Sequence, residues 1–457
     1  MTSKIICSLC LLMFLLDGTG HATESYIFQR PTLPADQNAY TYWTNAIPEL
    51  RLPQGDVLNA AFDQASNLSS NMPEGNAQNV LKVWLVSKKE PLGLFNKGIT
   101  LGKFQFPVFS LHDFGTTHLA GLRQVARVKS VQGRILATEA KYSEAADEFM
   151  GIFNAGQLII SGDGPMIHYL VGIAVESIGL SRLRWLCCCD DVPDDVLLRV
   201  LRQLPVPESR DMALAQTYRA ELDQCAIPAI LEVVSDAKTP TNDFPVRIDT
   251  ILDLTNTLEL VRTFNSRFVT NALSPWIGRD IHIEADAKAM VAIKGVTNVV
   301  EYVTDVLCYN GKKPNRETRR QWKRLAKLGR TTSNILGKIV TVGSTWVGDN
   351  VHERSVKMRA EINMTRTLIT LQLYRRHGGK YPNSLADLID KSLLPELPKD
   401  FFSEKPLLYS REKGLLWSVG ADEVDNSGDP KSDLVLRLPA PASVATRRSV
   451  DIEYSPH

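Results

Sequence analysis

The stretch after Trp417 gathers oxygen donors onto one glycine-containing segment: Ser418, Asp422, Asp425, Asn426, Ser427, Asp429 and Asp433. Hard oxygen ligands on a pliable loop suit calcium, with Asp425, Asn426, Ser427, Asp429 and Asp433 as the donors on offer. The spacing is not that of an EF-hand, because Gly428 stands third after Asp425. An acidic loop exposed to solvent and holding no ion is the competing reading.

A second acidic cluster, Asp190-Asp191 with Asp194-Asp195, brackets Pro193. Paired carboxylates can serve a hydrolase, one as acid and the other as base or nucleophile. The same residues are also what a helix start prefers, since proline fits the first turn and negative charge favours the dipole end. The eight histidines are scattered, and none has the His-Glu-x-x-His spacing of a zinc site. No Gly-x-Ser-x-Gly elbow occurs, and Gly162-x-Gly164 lacks the third glycine of a dinucleotide loop.

The first residues read as a secretory signal: Lys4, the apolar run Ile5 to Leu16, and the small-x-small site Gly20-His21-Ala22. That predicts export to the periplasm, cell envelope or exterior, a mature start at Thr23, and no membrane-spanning segment afterwards. Lys and Arg number 52 against 51 Asp and Glu, so no electrostatic footprint points to nucleic acid or anionic lipid.

Five cysteines follow the signal: Cys187, Cys188, Cys189, Cys225 and Cys308. Export makes a disulfide plausible, and the odd count leaves at least one thiol. Adjacent cysteines bridge one another only with strain, so Cys188 to Cys225 is the preferred pair. Closing that loop would contribute roughly 4 kcal/mol in the chain-entropy picture. Five small buried thiols are the alternative.

These residues need elements to position them. Prolines at 31, 34, 48 and 53 punctuate the start, so residues 23–110 read as loosely built, with short helices near Asn38–Ala46, Val57–Asn67 and Ala77–Ser87. Residues 111–345 read as a helical body. Within it a long helix running to Ala140 turns at Lys141-Tyr142-Ser143 into a second helix bearing Ala145, Ala146, Phe149, Ile152 and Phe153. This resembles one tetratricopeptide-type hairpin, although the ~34-residue period of a solenoid does not recur. Further helices are expected over Met166–Leu186, after Pro193, over Met212–Val234 and over Asp249–Asn271. The nine Lys and Arg between 312 and 330 read as a solvated helix face rather than a phosphate-binding patch.

The last quarter has the most specific order. Val351, Ser355, Met358, Ile362, Thr365 and Ile369 recur in steps of three and four, and Met364, Leu368 and Leu371 form a second stripe. Gly378-Gly379 and Pro382 end that helix. Ser384-x-x-Asp387 reads as a capping box. Leu407–Tyr409 and Leu415–Val419 form a candidate hairpin, with Leu434–Leu438 as a third strand.

With Tyr381-Pro382, Leu397-Pro398-Lys399-Asp400 and Trp417-Ser418-Val419-Gly420-Ala421-Asp422, this order resembles the soluble part of a major pseudopilin, the fibre subunit of bacterial type II secretion systems. The resemblance implies one long helix on a small antiparallel sheet at 346–439, with calcium in the loop after the matching Ser418, Gly420 and Asp422, so that Asp422 and Asp425 are the first expected ligands, with Ser418 and Asp429 beside them. The chain departs from it in Phe401, where the family usually has proline. It departs again before Val351, where Ile339–Trp346 is far short of an apolar fibre helix. Asn38-Ala39, the Gly133 to Ala146 hairpin and Asn334-x-x-Gly337 make the whole chain similar to large exported bacterial proteins that join a helical body to such a tail. That similarity implies a protein partner but no particular activity, so a non-catalytic envelope protein is the first expectation and a periplasmic hydrolase the second. Residues 440–457, with Pro441, Arg447 and Arg448, are expected to be disordered.

Overall fold

A computed structural model describes residues 31–51, 55–108, 116–207, 210, 213–214, 216–217, 220, 224, 335–447 and 449–454, with the backbone alone over 116–117 and 335–350. The signal peptide, Cys225, Cys308, the helix expected at 249–271 and the basic run 312–330 lie outside these residues, as does most of the helix expected at 212–234.

The chain is mainly helical, with a small antiparallel sheet near its C-terminus. The helices are α1 (Ala39–Ala46), α2 (Asp56–Ser66), α3 (Gly75–Ser87), α4 (Lys89–Leu101), α5 (Thr116–Thr138), α6 (Tyr142–Ile160), α7 (Met166–Cys187), α8 (Asp194–Gln203), α9 (Ile335–Gly378) and α10 (Ala386–Asp390). The strands β1 (Leu408–Ser410), β2 (Leu415–Ser418), β3 (Leu434–Arg437) and β4 (Ile452–Glu453) form one sheet in the order β1-β2-β3-β4, every neighbour antiparallel.

Contrary to expectation, the described part of the N-terminal region is closely packed. Trp43 of α1 is fully buried, stacks on Phe95 of α4 with ring centroids 4.7 Å apart, and donates its indole N–H to the Phe95 carbonyl at 2.9 Å. Prolines shorten these helices without preventing their burial. Asn38 caps α1, its side chain accepting from the Tyr40 amide.

The trunk is built on the α5–α6 hairpin, turned at Lys141 as the sequence predicts, with α7 laid along α6. Gly156 permits that approach: a Cβ there would come within 2.4 Å of the Glu176 amide nitrogen. Helix α7 is long and apolar enough to cross a membrane by length and composition, yet most of it is buried here. Polar side chains along it find partners both in the trunk and on later elements. Glu176, fully buried, receives two bonds from the Arg210 guanidinium at 2.8 and 2.5 Å.

Helix α9 ends at Gly379, whose φ of +73° gives the left-handed turn that glycine alone adopts without strain. The two stripes read from its sequence have different destinations. Val351, Met358, Ile362, Ile369 and Leu373 join the trunk core. Val356, Ala360, Met364, Leu368 and Leu371 join the core under the sheet. The expected boundary at 345/346 therefore falls inside a helix that both cores share. At its foot Asp387 accepts from the Asn383 and Ser384 amides, the reciprocal half of a capping box.

The expectation of a disordered tail at 440–457 is corrected over its described part. Ile452 and Glu453 supply the fourth strand, and Val444 and Val450 are buried in the trunk and sheet cores respectively. Proline-rich local sequence concealed contacts that are long-range: the Ala442 carbonyl accepts from the Asp190 amide, and the Arg447 carbonyl from the Trp185 indole.

Candidate functional site: the strand-end loop and the junction below it

Ser418, placed by the sequence among the ion ligands, points elsewhere. Its hydroxyl donates to Asp400 at 2.7 Å, and both residues are fully buried. The Asp400 carboxylate also accepts from the Phe402 and Val419 amides, each at 3.0 Å, and from the Ser403 hydroxyl at 3.0 Å. An ionised carboxylate is costly to bury unless its lone pairs are satisfied, and four donors do so here. The Lys399-Asp400 turn and the end of β2 are thereby tied together.

The acidic loop beyond it is held by its own hydrogen bonds. Asp422 accepts from the Val424 amide and the Asn426 side chain at 3.1 and 3.0 Å. Asp425 accepts from the Ser427 amide at 2.8 Å and from the Trp417 indole at 3.1 Å. Asp429 accepts from the Lys431 amide at 3.1 Å. Asp433, buried, accepts from the Gly428 amide at 2.8 Å and the Asn426 amide at 3.3 Å. Burial pushes its carboxyl above the ordinary range, against those amide bonds, and the charge of Asp425 adds to the rise. The loop thus folds back over the outer face of the sheet, where Leu415, Trp417 and Val435 cluster.

Ser418 is spent on Asp400, and the side chains of Asp422, Asp425 and Asp429 each brace a backbone amide. Among the described residues no group of three His, Cys, Asp or Glu is placed to hold a metal ion.

The sequence matches no protein-family model, no curated protein and no solved structure. What the site can do must be argued from its own contacts.

The other acidic cluster joins the trunk to the sheet module. Asp190 pairs with Arg375, and Asp194 with Arg376 at 2.9 Å and with His377 at 3.3 Å. Arg376 also donates to the carbonyls of Cys189 and Val192, and Arg447 donates to the Cys188 carbonyl at 2.6 Å. These carbonyls follow the C-terminus of α7, where cations are favoured. Asp191 accepts from the Val444 amide at 3.0 and 3.1 Å, pinning the C-terminal segment. Of the cluster, the sequence argument about helix starts covers Asp194 and Asp195, which lie in the first turn of α8.

The bridge expected from Cys188 to Cys225 involves a residue outside the described ones. Cys187, Cys188 and Cys189 are free, buried thiols. Cys188 faces the core under the sheet while Cys187 and Cys189 face the trunk core. Burial pushes the Cys188 thiol up to about 12, despite the nearby Arg447 and Arg184, and raises the other two as well. Such thiols are poor nucleophiles.

Sequence reasoning missed Arg184. Buried within α7, it donates to the Val450 carbonyl at 3.1 Å and to Thr365 at 3.2 Å, and lies 3.7 Å from Glu361. An arginine inside an apolar run was the available sign that this face of α7 meets a polar partner.

Proposed function

We propose that the chain is an exported structural or protein-interaction protein of the bacterial envelope, in which a helical trunk presents a pseudopilin-like module of one long helix on an antiparallel sheet. The observation that carries this reading is the fate of the carboxylates best placed by sequence for hydrolysis. Asp190, Asp191 and Asp194 are committed to Arg375, to the Val444 amide and to Arg376. They fasten the module to the trunk, and that work explains their clustering. The shared helix α9 supports the same reading, because it fixes the module's orientation on its carrier.

The acidic loop enters this proposal as a self-braced cover of the sheet, not as an ion site. Export rests on the signal-like residues Lys4 to Ala22, and the expected protein product begins at Thr23.

Chemical cross-linking in whole cells, followed by sequencing of the mature N-terminus, tests the proposal. The expected result is a chain starting at Thr23 in the envelope or periplasmic fraction, trapped in a heteromeric adduct of defined mass. Hydrolysis of a polysaccharide by the purified chain, lost in Asp190→Asn or Asp194→Asn without loss of folding, would overturn it.

A further inference from the structure

The last strand of the sheet is its shortest and is contributed by the C-terminal segment. β4 joins β3 through two residue pairs, Val435 with Glu453 and Leu436 with Ile452. Val435 and Leu436 are fully buried, whereas Ile452 is half-buried and Glu453 exposed. Three successive side chains set the register, each against a different feature. Ile452 packs on the core under the sheet. Glu453 receives two bonds from the Arg437 guanidinium, at 2.9 and 3.4 Å. The Tyr454 hydroxyl donates to Glu353 at 3.4 Å, and the Lys357 ammonium stands 4.7 Å from its ring centroid. Backbone pairing selects an extended chain, and alternating side chains supply the selectivity that strand addition requires.

We propose that this edge of β3 is a strand-accepting groove for an extended segment of another polypeptide carrying an aliphatic–acidic–aromatic triplet, and that residues 451–454 are its built-in competitor. The inference rests on the interaction role proposed above and names the surface that serves it. Because the competitor is tethered, it acts at a local concentration on the order of millimolar, and an incoming strand must displace it. The upstream segment has its own anchors, Ala442, Val444 and Arg447 on the trunk and Val450 on Arg184, none of which is a β4 backbone pair.

The test uses the full chain and a fluorescent peptide of sequence Ser-Val-Asp-Ile-Glu-Tyr, matching residues 449–454. Glu453→Arg sets like charge against Arg437 and loosens the tethered strand while leaving the groove intact. Its affinity for the peptide, read by fluorescence anisotropy, is expected to exceed that of the unmodified chain by about fivefold or more. A peptide with arginine at the acidic position binds less well, and in an Arg437→Glu chain the order of the two peptides reverses. That reversal cannot come from partial unfolding. The proposal is overturned if Glu453→Arg melts as the parent does yet binds the peptide no better, or if residue 437 leaves the preference unchanged. Self-association of Glu453→Arg without a gain in peptide binding also overturns it, in favour of a second copy as occupant. Peptide binding with no adduct in cells supports the groove and counts against the envelope reading alone. Peptide indifference with the adduct retained does the opposite.

Discussion

Ser418 donates its hydroxyl to Asp400 across 2.7 Å, and neither side chain reaches solvent. That bond joins two short motifs that the sequence displays eighteen positions apart. It also engages the Ser418 hydroxyl just before the acidic loop begins.

Removing the Asp400 carboxylate should therefore cost more than removing any loop aspartate. Asp400→Ala leaves the Phe402 and Val419 amides and two hydroxyls without their acceptor, at about 3 kcal/mol. Ser418→Ala removes one donor and should cost about 1 kcal/mol. Urea unfolding of the two variants measures the difference, and equal midpoints would remove Asp400 from its central place.

Calcium should not govern the folding of this module. The loop carboxylates brace their own amides, so the thermal midpoint is expected to agree within ~2 °C between excess chelator and millimolar calcium. A calcium-dependent rise that disappears in Asp425→Asn would show that the loop rearranges to bind the ion.

The fold was legible where contacts are local. The hairpin at Tyr142, the end of α9 at Gly379 and the β1–β2 turn each follow from residues within a few positions of one another. The carboxylate of Asp194 and the guanidinium of Arg376 are 182 positions apart, and no periodicity relates them. The burial of Cys188 apart from its two neighbours was hidden for a similar reason. Which core a side chain enters depends on helix placement, and the sequence around Cys187–Cys189 is apolar toward both. The two stripes of α9 were visible, but their separate destinations required the trunk to be in place.

At the junction, backbone capping should outweigh the ion pair. Arg376 serves two carbonyls as well as Asp194, so Arg376→Ala should lose about 2 kcal/mol, while Asp194→Asn should lose under ~1 kcal/mol because its carboxylate is partly solvated. Denaturant midpoints of the single and double variants separate the two contributions. An Asp194 effect as large as that of Arg376 would make the charge pair the dominant fastening.

The buried thiols give the chain an alkaline weakness. The unfolded thiols ionise near 9, whereas Cys188 in the folded chain holds its proton to about 12. Between these values the folded state binds more protons than the unfolded state, so stability falls as pH rises, by about 1.4 kcal/mol per pH unit for that thiol. Cys188→Ser should flatten part of this slope in denaturant titrations from pH 8 to 11. At pH 8 the native thiol should react with a disulfide reagent roughly a thousandfold more slowly than an ordinary one.

Leu368 and Ile369 are neighbours in sequence on α9 but are buried in different cores, one under the sheet and one in the trunk. Truncating either to alanine removes a fully buried side chain and should cost about 2–5 kcal/mol. Because successive helix positions differ by about 100°, the helix cannot leave one core without disturbing the other. Both variants should therefore lower the midpoint of one shared transition in calorimetry. Two resolved transitions, one shifted only by Leu368→Ala and the other only by Ile369→Ala, would mean that the sheet module melts independently of the trunk. The shared helix would then be a linker between two domains.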